Sequence, residues 1–417
     1  MALPAPLALF ALVGIGLLAG FVGHLLFQRF RVSDVILLLF VGAFLGPVFH
    51  VLDPSLLAPA LPFLAPLGLS LVLFEGGLEL SYGDLRKHAG RGLAMTIATW
   101  SATAIAVAVV AHAVVGLSWT LAFLLSTAVS ATGIFVVIPL LKQMRAPADA
   151  KVALTLETAV GDLLSAVVVT AFAGILALGM SPQAGVTLFA LKFVIGAAVG
   201  VLAGVVWGRA LHLLGAAQHG FPLTLAALVL TYAITEALHG SGYLAALTFG
   251  LFLGNAPALV RFGGLQKLAP PTEGLRHHQG EIVFILRSIY FVYVGLAISP
   301  AVFTWNGILI GAAFVAAMLV ARVAAVMVST RGRTPAERST RGLLIGMMPR
   351  GLATVIVASI PAAMGIPGTE RFLEYTFLIL VGCDIATSVM LWGYQTKAKA
   401  NAKANARDDE VAPAPAP

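Results

Sequence analysis

The chain is poor in charge and almost without cysteine. Asp, Glu, Lys and Arg make up only 10% of its 417 residues, hydrophobic residues make up 59%, and the mean hydropathy is +0.98. A soluble domain devotes about a quarter of its sequence to charge. A surface facing water cannot be assembled from this composition, which excludes a soluble enzyme. The same scarcity of polar sequence excludes disorder for the body of the chain. A single cysteine, Cys383, excludes a disulfide scaffold. The nine histidines are scattered, and the adjacent pair His277-His278 has no cysteine near it, so it reads as an ordinary loop and no metal site is expected. No glycine-rich loop ending in Lys-Ser or Lys-Thr leads into a helix, so no nucleotide and no other cofactor is expected.

What is present is apolar sequence in long runs. Thirteen segments stand out, at about 7–28, 34–52, 59–80, 93–115, 119–141, 151–178, 184–213, 221–238, 242–259, 280–299, 302–328, 342–365 and 371–394. Several are too long and continuous for the strands of a barrel, so the expectation is an all-α polytopic membrane protein with thirteen transmembrane helices. The first segment has no Lys or Arg before it and exceeds the apolar region of a signal peptide, so it reads as a span. Residues 396–417, with a Lys-Ala-Asn repeat and then alternating Ala and Pro, read as a disordered tail.

The basic residues alternate with this count. Arg29 and Arg31, Arg86, Lys87 and Arg91, Lys142, Arg145 and Lys151, Arg209, Arg261, Lys267 and Arg276, Arg331 to Arg341, and Lys397 to Arg407 all lie in or beside the loops after odd-numbered spans. The opposite loops hold Arg371, with Lys192 near that end of span 7. Positive charge on one side predicts an N-terminus outside and a C-terminus in the cytoplasm, in a bacterial inner membrane. The net charge of +7 is therefore a topology signal, and dispersal of the charge over loops argues against nucleic acid as a partner.

Some charges fall inside the spans: Arg287, Arg322 and Arg350, with Glu75, Glu157, Asp162, Glu236 and Asp384 within or near them. An ionisable group at the bilayer centre costs about 3 kcal/mol or more unless paired or hydrated, so such groups mark either ion pathways or helix-locking pairs. Glu157 and Asp162 lie five apart on span 6. At about 100° per residue they sit about 140° apart around the helix and face different neighbours. Thr158 and Ser165, four before and three after Asp162, share its face and offer oxygens. Span 5 contains Ser130-Ala-Thr-Gly133 followed by Pro139, and span 12 contains Pro349-Arg-Gly351. Spans 1–6 and 8–13 form two six-helix halves with span 7 between them. The odd linker inverts the second half, so spans 5 and 12 correspond. Interrupted helices at matching positions of inverted repeats mark the substrate site of many secondary transporters.

Four stretches resemble the monovalent cation:proton antiporters of the sodium/proton exchanger superfamily, in the NhaP-like branch. They are Leu73-Phe-Glu-Gly-Gly-Leu-Glu-Leu80, Glu157 with Asp162, Ile234 to Ala246, and the basic positions Arg322 and Arg350 in Ala321-Arg-Val323 and Pro349-Arg-Gly351. The resemblance covers residues 5 to about 395. It implies a core of residues 93–178 and 302–394, a dimer-forming scaffold of residues 7–80 and 184–299, and an elevator-like motion of one against the other within a homodimer. Asp162 would carry the cation or the proton, assisted by Thr132, Thr158 and Ser165. Glu157 and Arg322 would form a structural pair, with Gly133, Arg350 and Gly351 at the helix breaks. Two positions depart from the branch: Gly161 stands where Asn usually precedes the aspartate, and Thr132-Gly133-Ile134 replaces Thr-Asp-Pro. Asp384 is an acid outside the pattern, either a second titrating group or an answer to Arg287 or Arg350.

The expected activity is exchange of Na⁺ or K⁺ for H⁺, with membrane lipid as surroundings. A cation channel or potassium efflux system is the alternative. An intramembrane aspartyl protease using Asp162 and Asp384 is a remote one, because positions 159–162 read Ala-Val-Gly-Asp and lack the Gly-x-Gly-Asp signature.

Overall fold

The computed structural model describes residues 5–30, 33–53, 60–144, 146–179, 181–214, 220–256, 258, 273–331 and 340–411. Among the described residues, each of the thirteen apolar segments contains helix. In chain order the helices are α1 (Ala5–Phe30), α2 (Asp34–Ala43, continued by a π-helical turn Phe44–Val48), α3 (Leu61–Glu79), α4 (Tyr82–Ala113), α5a (Trp119–Ala128) and α5b (Ile134–Gln143), α6 (Ala148–Leu178), α7 (Pro182–Leu214), α8 (Gly220–Ala237), α9 (Gly242–Gly254), α10 (Glu273–Ala297), α11 (Trp305–Ser329), α12a (Arg341–Gly346) and α12b (Leu352–Ala363), and α13 (Phe372–Val411). Eight are long and apolar enough to cross a membrane, among the described residues. The chain is a multi-pass integral membrane protein.

Local chemistry sets the helix ends. Ser118, Ser241 and Thr304 each accept a backbone N–H of the first turn of α5a, α9 and α11, supplying an acceptor to donors that have none within the helix. Gly179 ends α6 in the left-handed conformation, at φ 62°, which costs glycine nothing sterically. α13 runs on to Val411, past the apolar segment and through the Lys-Ala-Asn repeat. Ala and Lys rank among the stronger helix formers, so an existing helix propagates through them at little cost. Residues 412–417 lie outside the described residues.

Close packing organises the rest. Gly196, Gly200 and Gly204 of α7 lie along α9. A Cβ on Gly200 would sit 2.4 Å from the Ala245 carbonyl oxygen, so the ridge lets the two helices touch backbone to backbone. α3 packs on α9, α2 on α10, and α4 on both α6 and α11. α12b crosses against α6 and α5a, which brings both interrupted spans to the same side of α6.

Candidate functional site at the helix crossing

The breaks in spans 5 and 12 meet directly. Residues 129–133 separate α5a from α5b, and residues 347–351 separate α12a from α12b. The Gly133 N–H donates to the Pro349 carbonyl at 2.9 Å. A Cβ on Gly133 would stand 2.6 Å from the Gly351 Cα, and one on Gly351 would stand 2.7 Å from the Gly133 Cα. No side chain fits at either position, which is the steric reason for glycine at both. Gly161 is different: a Cβ there would meet only Ala131, at an ordinary 3.6 Å. Gly133→Ala is therefore expected to cost about 1–3 kcal/mol by overpacking, while Gly161→Ala is expected to fold like the parent. Melting temperatures of the two variants in detergent check this, and equal values would mean that the crossing can open without cost.

An interrupted helix exposes carbonyls at the end of its first half, a site of partial negative charge. Each break is met there by an arginine. The Arg350 guanidinium donates to the Ser130 carbonyl at 2.8 Å and also to the Ala131 carbonyl, at the end of α5a. Arg322, from α11, donates to the Leu344 carbonyl of α12a through Nε at 2.9 Å and Nη2 at 2.7 Å. The same Arg322 forms a two-pronged pair with Glu157 of α6, Nη1 with Oε1 and Nη2 with Oε2 at 3.2 Å. Both partners are buried, with Glu157 4% and Arg322 3% exposed. The third membrane arginine, Arg287, pairs with Asp34 at the start of α2.

Asp162 faces the crossing from α6, with Arg350 within electrostatic reach. It is 1% exposed, and its Oδ1 has no hydrogen-bond partner. Gly161 lies near Ala131, where a Cβ on the glycine would just reach van der Waals distance, which places this stretch of α6 against the break in span 5. The Thr132 Oγ1, in that break, is buried and likewise without a partner, as is Thr354 Oγ1 in the first turn of α12b. The Thr158 hydroxyl donates back to the Thr155 carbonyl at 2.9 Å, leaving its lone pairs. Ser165 accepts the indole N–H of Trp100, from α4, at 2.9 Å. Asp384, on α13, accepts the Arg350 backbone N–H at 3.1 Å. It touches the break through the main chain of Arg350, and it does not partner Arg287.

Trp100, Thr354 and Asp34 are the residues of this network that sequence reading missed. A lone Trp in an apolar run reads as packing, and an acid at the first position of a helix reads as an end charge. Thr354 carried one available signal, its place three residues after Gly351 at a break already marked. Of the other acids, Glu236 lies away from the crossing, accepting the Gly242 N–H at 2.9 Å and standing 4.0 Å from Lys192. His278 stacks on Phe221, and the His277 side chain lies outside the described residues.

The model of one protein family, described as "Sodium/hydrogen exchanger, transmembrane", matches residues 14–392. The K(+)/H(+) antiporter NhaP of Alkalimonas amylolytica is 26% identical over 331 residues, 78% of this chain and 55% of that protein. The Na(+)/H(+) antiporter NhaP of Pseudomonas aeruginosa is 26% identical over 343 residues, 78% of this chain and 77% of that protein. The chain thus spans little more than half the length of the first of these relatives. Among solved structures, the sodium proton antiporter MjNhaP1 from Methanocaldococcus jannaschii at pH 8 superposes with a TM-score of 0.78 over 94% of this chain and 98% of that one, at 17% identity. That likeness concerns the fold alone.

Proposed function

The chain belongs to the sodium/hydrogen exchanger family, a family of transporters, and we propose that it exchanges Na⁺ or K⁺ for H⁺ across the membrane with Asp162 as the carrier. One observation carries this reading: a buried carboxylate with an unpartnered oxygen stands at the meeting of two interrupted helices, and the break in span 5 holds a buried threonine hydroxyl that is likewise unpartnered. A desolvated carboxylate is stable only when a proton or a cation neutralises it. The two ligands exclude each other at one carboxyl group, and that competition is the exchange.

Charge accounting sets the stoichiometry. With a cation or with a proton, the Asp162 site has the same net charge and crosses the apolar barrier equally well. Empty, it carries one more negative charge and is held back. Exchange of one cation for one proton follows, with no net current. Thr132, Thr158 and Ser165 would complete the cation's oxygen shell, Ser165 being held in place by Trp100. Glu157 and Arg322 serve as a structural tie between α6, α11 and α12a.

At 1% exposure Asp162 is occluded in this conformation, so transport requires two further states that open it to either side. We assign that movement to an elevator-like slide of a core, residues 93–178 and 302–394, against a scaffold, residues 7–80 and 184–299. The ridged contact of α7 with α9 supports a rigid scaffold. We further assign a homodimer built on that scaffold, in a bacterial inner membrane, with the N-terminus outside and the C-terminus cytoplasmic.

Proteoliposomes loaded with a pH dye provide the test. Addition of Na⁺, K⁺ or Li⁺ against an imposed pH gradient is expected to give saturable proton movement, at a rate that does not respond to a clamped membrane potential. Cation flux that does not saturate and needs no proton gradient would establish a channel. A rate that follows the potential would exclude one-for-one exchange.

A further inference from the structure

The buried charges around the crossing do not balance one for one. Glu157 answers Arg322, and Asp34 answers Arg287. Arg350 remains, and besides Glu157, which Arg322 already answers, two carboxylates stand within its electrostatic reach, Asp162 on α6 and Asp384 on α13. One guanidinium cannot compensate both. Arg350 is also held from two directions: its side chain by the carbonyls of Ser130 and Ala131, and its backbone N–H by Asp384 Oδ1 at 3.1 Å. Asp384 is 1% exposed, and its Oδ2 has no hydrogen-bond partner. The Ser33 hydroxyl lies beside it.

We propose that Asp384 is a positioning residue for the exchange, anchoring Arg350 at the crossing and setting how much of its positive charge reaches Asp162. The proposal rests on Asp162 being the carrier. The elements packed against α13 are α2, α10, α11, α12a and α12b. Their charged groups near this face are Asp34 and Arg287, engaged with each other, Arg322, engaged with Glu157, Arg341, engaged with Thr330, and Arg350. On α13 itself the neighbouring Cys383 Sγ lies 3.7 Å from the Met318 sulfur. Arg350 is thus the charge through which Asp384 acts on the site.

The test is Asp384→Asn, which keeps an oxygen for the Arg350 N–H and removes the negative charge. With that charge gone, the potential at Asp162 becomes more positive, and both of its ligands bind more weakly by the same factor. Proteoliposome exchange measured from acid to alkaline pH reads this directly. The cation KM is expected to rise about tenfold at alkaline pH, where Asp162 is empty of protons, and to stay at the parent value at acid pH, where the two losses cancel. The break between the two regimes moves down by about one pH unit, which is the same tenfold loss read on the pH scale. A purely structural defect would lower the maximal rate at every pH without moving the break. Ser33→Ala is the second variant, for the case in which Asp384→Asn does not fold. Loss of a hydroxyl beside the carboxylate disfavours its charged form, so the break is expected to move the same way by a smaller amount. An unmoved break in these variants, with Asp162→Asn inactive, overturns the role given to Asp384 and leaves the carrier intact. Exchange retained by Asp162→Asn overturns the underlying reading instead.

Discussion

Asp162→Asn is expected to abolish exchange and leave the protein folded. Asparagine has nearly the shape of aspartate and keeps an oxygen toward the crossing, but it can neither release a proton nor neutralise a cation. The substituted site is neutral at every pH, so no ligand is needed for it to cross the apolar barrier and no ligand is exchanged. Folding should not suffer, because a neutral amide costs less to bury than an ionised carboxylate. The melting temperature is expected to equal or exceed that of the parent. The measurement is the collapse of a respiration-driven pH gradient in everted vesicles on addition of Na⁺ or K⁺, with the size-exclusion profile of the purified variant as the folding control. Exchange at more than a few per cent of the parent rate would remove Asp162 from the carrier role.

Glu157→Gln is expected to do the reverse, damaging the fold before the chemistry. Arg322 is almost wholly buried and ties Glu157 to the Leu344 carbonyl. Neutralising one partner of a buried pair leaves the other charge uncompensated, at a cost of about 3–5 kcal/mol. Two bonds from Arg322 to Leu344 survive, but a carbonyl dipole does not replace a full charge. Lower yield and a lower melting temperature in detergent are the expected readouts. Replacing Arg322 by Met in the same chain should recover part of the loss, because the pair is then removed whole and the double mutant falls short of additivity. A variant of parental yield and melting temperature that has lost exchange would reverse the roles assigned to the two acids. The two experiments together therefore assign the acids by opposite outcomes, one lost in activity and the other in stability.

The positions of the spans were readable because hydrocarbon imposes a local rule. Each crossing needs a continuous apolar stretch, and its ends collect charge. The interruptions at Thr132-Gly133 and Pro349-Arg-Gly351 were readable for a similar reason, since glycine and proline are the poorest helix formers in the interior of a span. The opposed bearings of Glu157 and Asp162 followed from helical geometry alone, and the two side chains do face different arginines. The extent of α13 was not readable from composition. Alternating Ala, Lys and Asn has no apolar face to bury, but a helix that is already formed needs none to continue as far as Val411.

Partnership was a different matter. Gly133 looked like the loss of an acidic side chain, and only its approach to Gly351 reveals a position with no room for one. Arg350 looked like a charge in search of an acid, yet its guanidinium holds the carbonyls of the other broken span, and Asp384 holds its main chain. Arg287 found Asp34, 253 residues away, and Ser165 found Trp100, 65 residues away. What a residue prefers in its own segment, apolar or charged, helical or broken, is written in its immediate neighbours along the chain. Which arginine neutralises which carboxylate depends on distances of a few ångströms between segments remote in the chain, and those distances exist only once the helices have packed.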